Sequence, residues 1–413
     1  MAQGALNLAT SLAVNGLADP SPPWAVAEGE GPQALNARVS IACIRRIVIP
    51  TGCNRSGIQT ELRSCMQSCS LLSLATAVPP HSIAQSEAKL LAREAFGGKK
   101  ALFDRLSTVF DNAGIAKRHI VQPSDWYVQD HGWHDRNALY LNAAEQLFID
   151  AATKAIDQAG LSPEDIDGVV TVSTTGIATP SLEARVGPRL GLRNDVRRVP
   201  VFGLGCAGGV SGLSTAARLA SVDPGSKWLM VAVETCSISI RLDSDDPAAI
   251  VATALFGDGA AAAVVTSGKH SLAHIGGSAE RMWPDTLKIM GWDVEDPGLA
   301  VVFDRAIPPF IEAELADAVD GMLGKLGLTR ADIDRFCCHP GGVKVIDAIE
   351  KALELPQGEL NIEREVLHDF GNMSAPTVLF VLERLLRRGL PKRVMMTAFG
   401  PGFTCAGLLL EAA

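Results

Sequence analysis

The chain has 413 residues, 47% hydrophobic and 20% charged, with a formal net charge of −9. This is a globular composition, long enough for two or three domains or one large fused core. It carries no basic surplus for nucleic acid, no uncharged run of 18 apolar residues for a membrane span, and no basic start ahead of an apolar core for secretion, so a cytoplasmic location is expected.

From the N-terminus, residues 1–65 hold Pro20, Pro22 and Pro23 and no sustained helical period. They are expected to be a disordered extension or a mis-assigned start, with Met66 as the real one. Cys43, Cys53, Cys65 and Cys69 lack the paired spacing of a zinc site, and the nine cysteines in all fit reduced thiols. No metal and no cofactor is expected. From Met66 the text becomes regular. CSLLSLATAVPPHSI predicts a strand, a turn and a helix start.

An internal repeat follows. AGLSPEDIDGVV, with Gly160, Asp165 and Asp167, matches LGLTRADIDRFC, with Gly327, Asp332 and Asp334. Each predicts a helix ending at glycine, a short turn and an apolar strand. SKWLMVAVE from Ser226 and PKRVMMTAF from Pro391 form a second pair at nearly the same separation. A helix lies between the members of each half. Two copies of one α/β unit are expected, residues 66–275 and 276–413, with layered sheets buried on both faces. Equivalent loops would meet near a pseudo-twofold axis, and Cys206 and Asn372 fall at equivalent points.

GLGCAGGVSG sets Cys206 among five glycines at a strand-to-helix turn. A helix N-terminus carries partial positive charge and free N–H groups. The turn therefore predicts a nucleophile whose pKa falls from about 8.5 toward roughly 3.5–7.5. His339 ends an apolar strand in FCCHPGG, and Asn372 precedes a helix in FGNMSAPT. Cys337 and Cys338 alternate along the same strand and predict core positions. A thiolate can carry an acyl group, with histidine as its ion-pair partner. Histidine and asparagine can donate hydrogen bonds to a thioester carbonyl and stabilise an enolate. Cysteine proteases use the same trio, so these residues alone leave the reaction open.

GCAGG at Cys206, ALFGDGAAAAVV from Ala254, HPGG from His339, GNMSAPT from Gly371 and FGPGFT from Phe399 are together similar to the type III polyketide synthases. These form the chalcone synthase superfamily of the thiolase fold. The resemblance runs from about Met66 to Ala413, in the family's motif order. It implies an α/β thiolase-like, five-layered αβαβα fold, a homodimer, and coenzyme A thioesters as substrates. It implies Cys206 as the acyl-carrying nucleophile, with His339 and Asn372 promoting decarboxylation of malonyl-CoA. Phe256 matches a gatekeeper phenylalanine, and Gly402 lies in the turn that shapes the cavity floor. Gly257, Asp258 and Gly259 predict a structural turn.

Departures bear on the substrate. Val301 stands at the second gatekeeper, Trp292 at a cavity glycine, Thr179 at the crossing methionine and Ser239 at the cyclisation-pocket threonine. Small residues at 179, 239 and 301 would open room for an aliphatic chain, while Trp292 closes another side. Arg105 matches one basic coenzyme A contact, but Thr108 and Asn112 stand where two other cations are expected. Lys99, Lys100, Lys117 and Arg118 are nearby alternatives. The resemblance implies a bacterial synthase joining a fatty acyl-CoA starter to malonyl-CoA and cyclising to an alkylpyrone or alkylresorcinol. The alternative is a β-ketoacyl synthase III-like priming enzyme fed by an acyl carrier protein, although HPGG replaces the H-Q-A-N pattern of that group. Nothing else points to a carrier-protein partner. A non-catalytic subunit is a third alternative, and it would be expected to lack the trio.

Overall fold

The computed structural model describes residues 69–96, 100–241, 246–268 and 271–413. The expectations for residues 1–65, for Lys99, and for zinc at Cys43, Cys53 and Cys65 lie outside the described residues. Among the described residues thirteen strands run in chain order. They are β1 (Cys69–Ala77), β2 (His81–Ala84), β3 (Lys117–Ile120), β4 (Gly168–Val172), β5 (Arg197–Val201), β6 (Lys227–Thr235) and β7 (Asp258–Ser267), then β8 (Ala273–Met282), β9 (Met290–Glu295), β10 (Gly298–Phe303), β11 (Arg335–Cys338), β12 (Arg393–Gly400) and β13 (Thr404–Ala412). Six helices matter for the site: α1 (Trp133–Gln158), α2 (Gly208–Val222), α3 (Pro247–Leu255), α4 (Ile307–Leu326), α5 (Val343–Ala352) and α6 (Thr377–Arg388).

The repeat is visible in the strand order β11-β12-β13-β8-β1-β7-β6-β4-β5. In the first half β4 lies parallel to β6, β6 antiparallel to β7, and β7 antiparallel to β1. In the second half β11, β12, β13 and β8 repeat those relations in that order. The seam is the antiparallel pairing of Cys69–Leu71 with Ala273–Ile275. Local chemistry repeats too. Ser162 with Asp165, and Thr329 with Asp332, each close a capping box. Asp167 accepts the N–H of Lys227, and Asp334 accepts that of Arg393, so each aspartate ties its turn to the next central strand.

Residues alternate between two buried faces, as the period of a strand requires. Val170, Met230 and Ala232 face a core shared with α2 and α6, while Val169, Leu229 and Val231 face one shared with α1. In the second half Val394 and Met396 face the first of these cores, and Met395 faces a third with Leu315 and Val319 of α4. The layers run α1, sheet, α2 with α6, sheet, α4: the expected αβαβα order. At the carboxyl ends of the strands the chain enters the loops that carry the reactive side chains.

Candidate active site

Cys206 lies in the single turn Gly205–Ala207 between β5 and α2, and it is buried. Gly205 has φ +48°, and a Cβ there would stand 2.7 Å from Cδ of Pro401. A Cβ at Gly209 would stand 2.3 Å from the carbonyl oxygen of Ala375. The glycines around the thiol thus let the start of α2 close on Pro401 and on the loop after Asn372, where a larger residue would force the two apart.

His339 follows β11, its backbone N–H bound to the carbonyl of Thr397 at 2.9 Å. The residue is only 5% exposed, and among the described residues neither ring nitrogen has a hydrogen-bond partner. A buried imidazole without partners is costly unless a ligand supplies them. Asn372 is held on both sides of its side chain. Its Nδ2 donates to the carbonyl of Gly341 at 3.2 Å, and its Oδ1 accepts the N–H of Ser374 at 2.8 Å. Its backbone bonds to Leu255 and Gly257, pinning it beside Phe256. One Nδ2 hydrogen remains for a ligand. Cys206, His339 and Asn372 line one cavity of about 670 Å³.

Burial pushes the Cys206 thiol up to about 12, with the nearby carboxyl of Glu234 acting in the same direction and a hydrogen bond to Ser374 opposing both. Burial brings His339 down to about 3. Both shifts favour the neutral thiol and the neutral imidazole, the opposite direction to the depressed thiol pKa expected from the helix start. Desolvation at this depth outweighs the helix terminus. A neutral imidazole can still act, because it offers one acceptor and one donor nitrogen. Alkylation of Cys206 by iodoacetamide is expected to keep accelerating as pH rises past about 9. A rate that levels off by about pH 7, measured on the intact protein by mass spectrometry, would instead require a resting thiolate.

Ser374 is a further residue at the site that no sequence feature marks. Its Oγ lies 3.5 Å from the Cys206 sulfur, and its φ is +59°, unusual for a residue with a side chain. Nothing in GNMSAPT signals that backbone twist. Of the other expected residues, Phe256, Trp292 and Val301 line a small side cavity with Cys206 and Ser374. The Phe256 ring packs 5.9 Å from Trp292 and 5.7 Å from Phe303, centroid to centroid. Arg105 lines the large cavity with Thr108 and Asn112.

Three further expected residues lie as follows. Ser239 lines a separate small cavity with Trp133 and Arg136. Pro401, directly before Gly402, lines the small side cavity. Thr179 is exposed in the loop after β4. Arg118 is also no surface cation, being buried with its guanidinium on the carbonyl of Thr253.

Residues 59–269 match the N-terminal domain of chalcone and stilbene synthases, and residues 274–413 match their C-terminal domain. The chain belongs to this family. It is 38% identical to the 1,3,6,8-tetrahydroxynaphthalene synthase of Streptomyces peucetius over 83% of this chain and 93% of that one. It is 34% identical to a putative chalcone synthase of Bacillus subtilis over 83% and 98%. The crystal structure of the tetrahydroxynaphthalene synthase of Streptomyces coelicolor, a bacterial type III polyketide synthase, superposes with a TM-score of 0.79 at 29% identity, covering 83% of this chain and 99% of that one. The chain is accordingly a type III polyketide synthase of thiolase fold, an acyltransferase that forms carbon–carbon bonds. Among the described residues of this synthase no helix is long and apolar enough to cross a membrane.

Proposed function

We propose that Cys206, His339 and Asn372 condense an acyl-CoA starter with malonyl-CoA. The observation that carries this is one cavity holding a thiol, an asparagine amide and an imidazole with both nitrogens unpartnered. Cys206 Sγ attacks the starter thioester, its proton passes to the neutral His339, and the coenzyme A thiolate leaves with that proton. Malonyl-CoA then loses carbon dioxide. The enolate oxygen accepts hydrogen bonds from His339 and Asn372, and the enolate carbon takes the acyl group from Cys206. Phe256 keeps water from the reacting centre.

The starter is a fatty acyl group and the product an alkylpyrone or alkylresorcinol. Phe256, Met290, Trp292, Val301, Val302 and Phe303 support this, because they surround the space beside the thiol with apolar surface. An aliphatic chain gains by leaving water there, whereas a string of ketones would lack donors. A second reading, an aromatic polyketide of the naphthalene type, is favoured by the name of the Streptomyces peucetius relative and by how little room the rings of Trp292 and Phe303 leave. The working unit is a homodimer. In support, among the described residues β5 is an edge strand with one side unpaired, and Ile177 and Phe202, just past β4 and β5, are exposed.

Labelled malonyl-CoA with acyl-CoAs from acetyl to stearoyl separates these outcomes by mass spectrometry. Pyrones or resorcinols from the long starters are expected. A product built from malonyl units alone would favour the second reading. A single condensation that demands malonyl on a carrier protein would overturn both.

A further inference from the structure

Among the described residues, three cations and two carboxylates line the large cavity, leaving positive charge in excess at its mouth. Arg105, Arg305 and Lys344 all line it, and all are exposed. Among the described residues none of the three has a carboxylate or hydrogen-bond partner. Two carboxylates share the lining, but each has an oxygen engaged with a helix start. Asp246 Oδ1 accepts the N–H of Ala248, and Asp304 Oδ1 accepts that of Ala306.

The helices sharpen the imbalance. α4 and α5 both begin at this cavity, through Ile307, Pro308 and Val343, and neither has an acidic residue in its first turn. A helix N-terminus favours a negative neighbour. Lys344 instead places a cation in the first turn of α5, and Arg305 places one just ahead of α4. Like charge at the positive end of a helix is unfavourable unless an anion comes between. The cavity is also built to receive a ligand, since His339 lines it with both ring nitrogens buried and unpartnered.

We propose that Arg305 and Lys344, with Arg105, grip the phosphates at the nucleotide end of a coenzyme A thioester. They take over from the cations absent at Thr108 and Asn112, which line the same cavity as neutral side chains. The inference rests on the proposed use of coenzyme A thioesters. It adds where the charge comes from: the loop before α4 and the first turn of α5, not the helical segment around Thr108. With the phosphates held at the mouth, the pantetheine arm runs inward to Cys206.

Two probes test it. Adenosine 3′,5′-bisphosphate carries the nucleotide end alone and is followed by calorimetry. Malonyl-N-acetylcysteamine carries the reacting end alone and is followed by turnover. Arg305→Ala and Lys344→Ala are each expected to weaken the bisphosphate about tenfold, the usual cost of losing a charged hydrogen bond. The double variant should weaken it further and raise KM for malonyl-CoA, while turnover of malonyl-N-acetylcysteamine and the effect of Thr108→Ala stay near wild type. Unchanged bisphosphate binding in the double variant would overturn the inference. So would an equal loss of malonyl-N-acetylcysteamine turnover, which would move these residues to the reacting end. A wild type that binds the bisphosphate through Arg305 and Lys344 yet never extends malonyl-CoA would refute the synthase reading and leave the grip standing. A wild type that takes malonyl only from a carrier protein and ignores the bisphosphate would refute the grip.

Discussion

Cys206→Ala is expected to lower polyketide formation by at least about 10⁴-fold, because the substitution removes the atom that holds the growing chain. Among the described residues no other cysteine lines the cavity. Cys236 is fully buried behind Phe256 and cannot take its place without rearrangement. The fold should tolerate the change. The sulfur makes one long contact, 3.5 Å to Ser374, and losing one small buried group costs about 1 kcal/mol. The variant should also still decarboxylate malonyl-CoA, since His339 and Asn372 keep their positions without the thiol: Thr397 holds the first and Gly341 with Ser374 the second. Intact-protein mass spectrometry should find an acyl adduct on the wild type and none on the variant. Product from the variant would sink the assignment of Cys206 as nucleophile.

Much of this site could be read in the sequence because its parts sit where strands end. The runs that became β4, β6, β11 and β12 are apolar and punctuated, and the pairs Asp165 with Asp332 and Asp167 with Asp334 do the same local work in each half. Once those runs are strands of a duplicated unit, Cys206 and His339 must emerge at carboxyl ends. What stayed hidden is tertiary. The direction of the thiol's pKa depends on how deeply the turn is buried, and burial at this depth reverses what a helix start alone suggests. Arg118 looks like a surface cation beside Lys117, yet the strand turns it inward onto Thr253. Ser239 ends the short turn Cys236–Ser239, which Ser237 ties to Asp258, and it lines a cavity with Trp133 and Arg136. Lys344 follows a glycine pair in a segment whose glycines drew the attention, and only the convergence of α4 and α5 on one mouth makes its charge conspicuous.

His339→Gln and Asn372→Asp should each slow decarboxylation of malonyl-CoA by about 10²–10³-fold, the usual effect of losing one well-placed donor to an oxyanion. The two variants fail for different reasons. Glutamine keeps an amide donor but cannot take the thiol proton, so His339→Gln should also slow acylation of Cys206. Aspartate keeps the oxygen that accepts the Ser374 N–H, but it loses the donor to the Gly341 carbonyl and puts negative charge where the enolate charge develops. Acylation in Asn372→Asp should therefore continue while decarboxylation slows. The effect belongs in kcat more than in KM, because the enolate forms only as the carbon–carbon bond breaks. The wild-type pH profile supplies a check on the imidazole. With His339 held down to about 3, decarboxylation should not decline between about pH 8 and pH 5 through protonation of that ring. Stopped-flow release of labelled carbon dioxide, read beside the adduct mass, separates the two steps. Normal decarboxylation in both variants would remove His339 and Asn372 from the chemistry and leave them only the shape of the wall.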